Sequence, residues 1–165
     1  MVKEREKKLQ RGELSLEDFT VKNAVPFLTR LYHAGIKLYL ASGTDEVDVK
    51  SEAKAKALGY EYLFEGRIYG VVGYINKEAK KIVLDRILDS IGSAESGQII
   101  TFGDGPVEIH ETHKRNGITV GLASNEQRRY GLNAHKRTRL IKAGADIINS
   151  DFSQMEQLLE LLGIN

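Results

Sequence analysis

The 165-residue chain contains no cysteine, which removes disulfides, thiolate metal sites and a cysteine nucleophile together. It has no apolar run near the ~18 residues that a bilayer-spanning helix needs. Its opening, MVKEREKKLQRGE, is too charged for a secretory signal. An excess of one charge is missing as well: 24 Lys and Arg stand against 23 Asp and Glu, a net charge of +1. Nucleic acid is therefore not an expected partner. No Gly-x-Gly-x-x-Gly follows a strand and no Walker-type lysine motif occurs, so a generic nucleotide-binding loop is absent. No internal repeat or low-complexity linker interrupts the chain. These absences lead to the expectation of a cytoplasmic protein without membrane or nucleic-acid partners.

What is present is enough for a packed core. Apolar residues make up 41% of the chain and charged residues 28%, an ordinary globular balance at a length that suits one domain. From about residue 20 the pattern alternates helix and strand. NAVPFLTRLYHAG reads as a helix, with Asn23 as N-cap, Pro26 in the first turn and Gly35 as its stop. IKLYLAS reads as a short strand, and TDEVDVKSEAKAKALGY as a helix capped by Thr44 and ended by Gly59. YLFEGRIYGVVGYIN is a glycine-punctuated run of short strands or turns. KEAKKIVLDRILDSIG is amphipathic, with Val83, Leu84, Ile87 and Ile91 on one face and Lys80 one turn earlier on the same side. QIITFGD, ITVGLAS and DIINS follow as strands, alternating with the helices VEIHETHKRNG, HKRTRLIKAGA and FSQMEQLLELLG. Strands separated by helices predict a three-layer, Rossmann-like parallel sheet with helices on both faces.

Ligands of such sheets bind beyond the carboxyl ends of the strands, and three features fall there. Ser42 ends LYLAS and precedes Gly43 and Thr44, so its hydroxyl and the next N–H groups could face an anion at a helix start. Lys80 lies at the open end of its helix, within reach of a phosphate. In ITFGDGPVEI, residues 100–109, Asp104 and Glu108 offer hard oxygen ligands of the kind that suits Mg²⁺. Each feature has a plainer reading: a helix cap for Ser42, a solvated side chain for Lys80, a turn for Gly-Asp-Gly. Arg128, Arg129, Lys136, Arg137, Arg139 and Lys142 read as an exposed basic helical face, and His110 and His113 as residues on a wet one.

In order and spacing these pieces resemble the haloacid dehalogenase superfamily of phosphohydrolases, in its phosphoserine-phosphatase-like branch. The resemblance rests on GIKLYLASGTDEVDVKSEAKAKALGY, FEGRIYG, KEAKKIVLDRIL, IITFGDGPVEI and the closing AGADIINSDFSQMEQLLELL. It implies an α/β core over 21–165 and, over 1–20, the helical remnant of a cap. It also implies hydrolysis of a small phosphorylated metabolite through an aspartyl-phosphate, with Mg²⁺. Ser42 would then hydrogen-bond the phosphoryl group beside Gly43. Lys80, or Lys81 one helical step on, would neutralise it, and Asp104 and Glu108 would hold the metal.

The same resemblance calls for an Asp-x-Asp-x-Thr/Val motif on a first strand, and the sequence has none. EDFT at 17–20 lacks the second aspartate, and DEVDV at 45–49 has the wrong spacing. The chain is therefore expected to be a truncated or split form, inactive alone; the alternative is a non-catalytic binding subunit on the same scaffold. The missing strand would lie between KLYLA and IITFG. Its place would be filled by a partner chain, by a swapped segment in a homo-oligomer, or by direct pairing of those two segments.

Overall fold

The computed structural model describes residues 21–54, 59–73, 78–92, 99–125, 127–128 and 131–164. The segment read as a cap remnant, residues 1–20, and Arg129 of the basic cluster lie outside them. In chain order the elements are α1 (Ala24–His33), β1 (Leu40–Asp45), α2 (Glu46–Lys54), α3 (Glu61–Phe64), β2 (Ile68–Val71), α4 (Ala79–Ile91), β3 (Ile100–Gly103), α5 (Pro106–Lys114), β4 (Ile118–Leu122), α6 (Ala134–Ala143), β5 (Ile147–Asn149) and α7 (Met155–Leu161). Every strand pairing between these elements is parallel, and helices lie on both sides of the strands, as the alternating pattern predicts. No described helix is long and apolar enough to cross a membrane.

The chain divides into two compact units, 1–75 with 152–165, and 76–151. In the first, β1 and β2 form a two-stranded sheet. Phe27 of α1 is fully buried and stacks on Phe152, ring centroids 4.5 Å apart. Gly35 takes a positive φ of 79° and closes α1, as expected of a helix stop. Asn23 does not cap through its side chain; it sits in the left-handed region with φ 61°.

The turn after β1 differs from the expected one. The register slips between Ala41 and Asp45, where three residues of β1, Ser42 to Thr44, stand opposite one of β2, Gly70. This bulge carries the chain past Ser42 and Thr44 before α2 begins, so Asp45 becomes the cap: its Oδ1 accepts the Val47 and Asp48 N–H groups at 2.9 and 3.4 Å. Gly70 on β2 has to be small, because a Cβ there would lie 2.6 Å from Glu46 Cα. The stretch before β2 also holds a helical turn, α3, that its glycines concealed.

In the second unit β4 lies between β3 and β5. Ile109, Ala123 and Leu140 form its buried centre, with Ile148 packed against them. α4 buries Val83, Leu84, Ile87 and Leu88; Ile91, expected on that face, is only half-buried. β1 and β3, which the resemblance sets on either side of the absent strand, belong to different sheets.

An ion network ties α4 to α5. Arg115 donates to Asp85 Oδ1 and to Glu111 Oε2, each at 2.9 Å, while Lys81 reaches Asp85 Oδ2 at 2.8 Å. The hydrogen bond from Lys81, followed by the charges of Lys81 and Arg115, holds the Asp85 carboxyl below its ordinary range despite partial burial. Burial pushes Glu111 upward, but the Arg115 hydrogen bond and the charges of Lys114 and Lys81 outweigh it and leave that carboxyl lowered too. Folded-state depression means that the stabilisation is present above the unfolded carboxylate range, near pH 4, and is lost as pH falls through the lower folded values. Arg115→Met is expected to cost about 2 kcal/mol at pH 7, since it takes the hydrogen-bonding cation from buried Glu111 and leaves it Lys114 at 3.7 Å, and progressively less below about pH 4. Urea unfolding at pH 7 and pH 3 checks this; a cost independent of pH would contradict it.

Candidate functional site

The site is built on the Gly103-Asp104-Gly105 corner between β3 and α5. Gly105 is the N-cap of α5 and Pro106 its first residue, a position where a missing N–H is harmless. Glu108, two residues further, folds back so that Oε1 accepts the Gly105 N–H at 2.9 Å. Gly105 has no side chain to return the bond, so only the glutamate half of a capping box forms.

Folding back requires room, and the two glycines provide it. A Cβ at position 103 would stand 2.3 Å from Glu108 Cγ, and one at 105 would stand 3.0 Å from Glu108 Oε2. Neither glycine has a positive φ, so close approach is the reason for them. The carboxylate is buried, with only 5% of the residue exposed. Such a charge needs a partner, and Lys80 Nζ stands 2.8 Å from Oε1. Lys80 comes from the first turn of α4, on the side facing α5.

Of the two candidate lysines, Lys80 is thus the one brought to the acidic corner; Lys81 points to Asp85. Asp104 is half-exposed, and the Lys136 ammonium lies 3.7 Å from its Oδ2. Ser42 and Gly43 belong to the other unit. There the Ser42 hydroxyl hydrogen-bonds Thr44 Oγ1 at 2.9 Å and accepts the Thr44 N–H at 3.2 Å. Ser42 lies within β1 rather than at its end. Gly43 is exposed with open space around its Cβ position.

Glu108 Oε2 is buried and accepts no hydrogen bond among the described residues. A buried acceptor left alone costs about 1–3 kcal/mol, and an ion or water is one of the standard explanations of such an atom. The donor set fits Mg²⁺ in part: one orphaned carboxylate oxygen in a glycine cradle and one half-exposed aspartate supply hard oxygens, the rest being left to water and substrate. Among the described residues no three His, Asp or Glu side chains gather into a complete metal cluster.

Lys136 was missed by the sequence reading, which placed it on an exposed basic face. His110 and His113 are exposed, as expected, and so are Arg128, Arg137, Arg139 and Lys142. Lys136 departs from them because the loop before α6 is pinched. Asn133 N–H donates to Ala123 O at 2.7 Å and Asn125 N–H to Gly131 O at 3.3 Å. This returns the start of α6 to the carboxyl end of β4, next to that of β3. Asn133 Oδ1 then accepts the Lys136 N–H at 3.0 Å. Asn-x-x-Lys after a strand marks the cap and a lysine in the first turn, but nothing in it marks the pinched loop that turns this lysine toward Asp104.

The arrangement has the haloacid dehalogenase-like fold. Over 84% of its length the chain superposes with a TM-score of 0.66 on a predicted phosphatase from Clostridium acetobutylicum, with 21% identity. It matches a haloacid dehalogenase-like protein from Agrobacterium tumefaciens over 87% of its length, with the same TM-score and 14% identity. The chain spans 59% of the first of these structures and 61% of the second. No protein-family model and no curated protein sequence matches it.

The glycine cradle makes a direct prediction. Gly103→Ala is expected to push Glu108 off the Gly105 N–H and to destabilise the protein by about 1–3 kcal/mol. Gly105→Ala, with more room, costs less. Chemical denaturation of both variants tests this; a Gly103→Ala protein as stable as wild type would contradict it.

Proposed function

We propose that this chain carries the phosphate- and metal-holding part of a Mg²⁺-dependent phosphohydrolase of the haloacid dehalogenase type, acting on a small phosphorylated metabolite. The observation that carries the reading is the buried Glu108 carboxylate. One of its oxygens is held by Lys80 and the Gly105 N–H, and the other is orphaned in a glycine cradle beside Asp104. Its place at the carboxyl end of β3, in a fold shared with a protein described as a predicted phosphatase, supports the same reading.

In this reading Asp104 and Glu108 hold Mg²⁺, Glu108 through Oε2. The bound cation supplies Lewis-acid stabilisation of charge on the phosphoryl oxygens. Lys80 keeps the buried carboxylate neutralised and presents a fixed positive charge toward an incoming phosphate. The resemblance gives Ser42 a hydrogen bond to a phosphoryl oxygen; its hydroxyl would have to turn from Thr44. Covalent transfer needs a carboxylate nucleophile, and that role falls to an Asp-x-Asp segment outside these 165 residues, carried by a longer form of the same chain or by another polypeptide. Lys81 takes no part.

The test is complementation. Purified chain alone is expected to give no turnover of an aryl phosphate with Mg²⁺. Addition of a polypeptide bearing an apolar strand and Asp-x-Asp-x-Thr is expected to restore it, and Asp104→Asn to abolish it again. Turnover by the chain alone that Asp104→Asn removes would overturn the division of labour. Phosphate binding without turnover under complementation would instead favour the non-catalytic binding subunit, the reading that the missing motif also allows.

A further inference from the structure

Two lysines face the two carboxylates of the corner, one each. Lys80 meets Glu108 at 2.8 Å, and Lys136 stands 3.7 Å from Asp104. The formal charge of the four groups is therefore zero. The two lysines are placed differently, however. Lys80 bonds an oxygen that also takes a backbone N–H, and the orphaned Oε2 is left to other ligands. Lys136 approaches the aspartate, the half-exposed member of the pair, at more than a hydrogen-bond length. Its side chain is only 22% exposed, whereas the basic side chains that follow it on α6 stand in solvent.

We infer that Lys136 is a cation competitor built into the acidic corner. Its ammonium stands 3.7 Å from Asp104 Oδ2, so a divalent cation that takes this oxygen has to displace it, and the affinity of the site is set by that exchange. The inference rests on the reading of Asp104 and Glu108 as metal carboxylates and adds to it a residue that weakens binding. Two like charges cannot share one carboxylate at a few ångströms without mutual repulsion, and partial burial keeps solvent from screening it fully. The backbone of Lys136 is anchored through its N–H to Asn133. A side-chain substitution therefore leaves the helix cap in place.

The probe is Mn²⁺, followed by its electron paramagnetic resonance signal in titrations of the 165-residue chain, with circular dichroism confirming that each variant is folded. Wild type is expected to bind Mn²⁺ and Asp104→Asn to lose it. Lys136→Met is expected to bind about five- to tenfold more tightly than wild type, and Lys136→Arg, which keeps the charge, to bind as wild type does. Lys142→Met, which removes an exposed charge from the same helix, is expected to leave affinity unchanged. High ionic strength is expected to narrow the gap between Lys136→Met and wild type. Equal affinity of wild type and Lys136→Met, with Asp104→Asn still defective, overturns the competitor role and leaves the metal carboxylates standing. Lys142→Met tightening as much as Lys136→Met overturns it too, by reducing it to the general field of the helix. A wild type that takes up no Mn²⁺, or takes it up no better than Asp104→Asn, overturns both.

Discussion

A buried carboxylate next to a lysine organises the second unit of this protein. Glu108 is carried into the interior by the first turn of α5 and would be untenable there as a lone charge. It is made tolerable by the Lys80 ammonium at 2.8 Å and the Gly105 N–H at 2.9 Å. Those two bonds dictate much around them. Gly103 and Gly105 must lack side chains, α4 must present its first turn to α5, and α4 and α5 must keep their relative rotation. The Asp85–Arg115–Glu111 network serves the last requirement further along the same two helices.

The α/β class and most element positions were legible in the sequence because hydrophobic periodicity and stop signals agree there. Gly35 ends its helix in the left-handed conformation, and Val83, Leu84 and Ile87 are buried on one face of α4. The misreadings have local causes. Thr44 has the side chain of a cap, but a bulge in β1 moves the helix start by one residue and gives the role to Asp45. Asn23 has a capping side chain but adopts a positive φ. α3 is a single turn, too short to carry a period.

The site was legible in its one-dimensional parts and not in its three-dimensional ones. Asp104 and Glu108 share a short segment, and the i+3 relation from N-cap to Glu108 is a local capping pattern. Which lysine meets them depends on helix rotation, which a shift of one residue changes by about 100°. The structure gives Lys80 to Glu108 and Lys81 to Asp85. Lys136 was beyond reach, because its approach to Asp104 depends on a loop pinched by Ala123–Asn133 and Asn125–Gly131 backbone bonds. A basic run on a helix carries no mark of which member turns inward.

The acidic corner depends on Lys80 and Glu108 acting as one unit. A double-mutant cycle measures this directly: Lys80→Met, Glu108→Gln and the double variant, compared by urea unfolding at pH 7. Glutamine can still accept the Gly105 N–H but no longer needs a cation. Lys80→Met is expected to cost about 2 kcal/mol with Glu108 present and close to nothing with glutamine there, a coupling of about the same size. Strictly additive costs would mean that the carboxylate does not depend on the lysine, and would contradict the picture of the site.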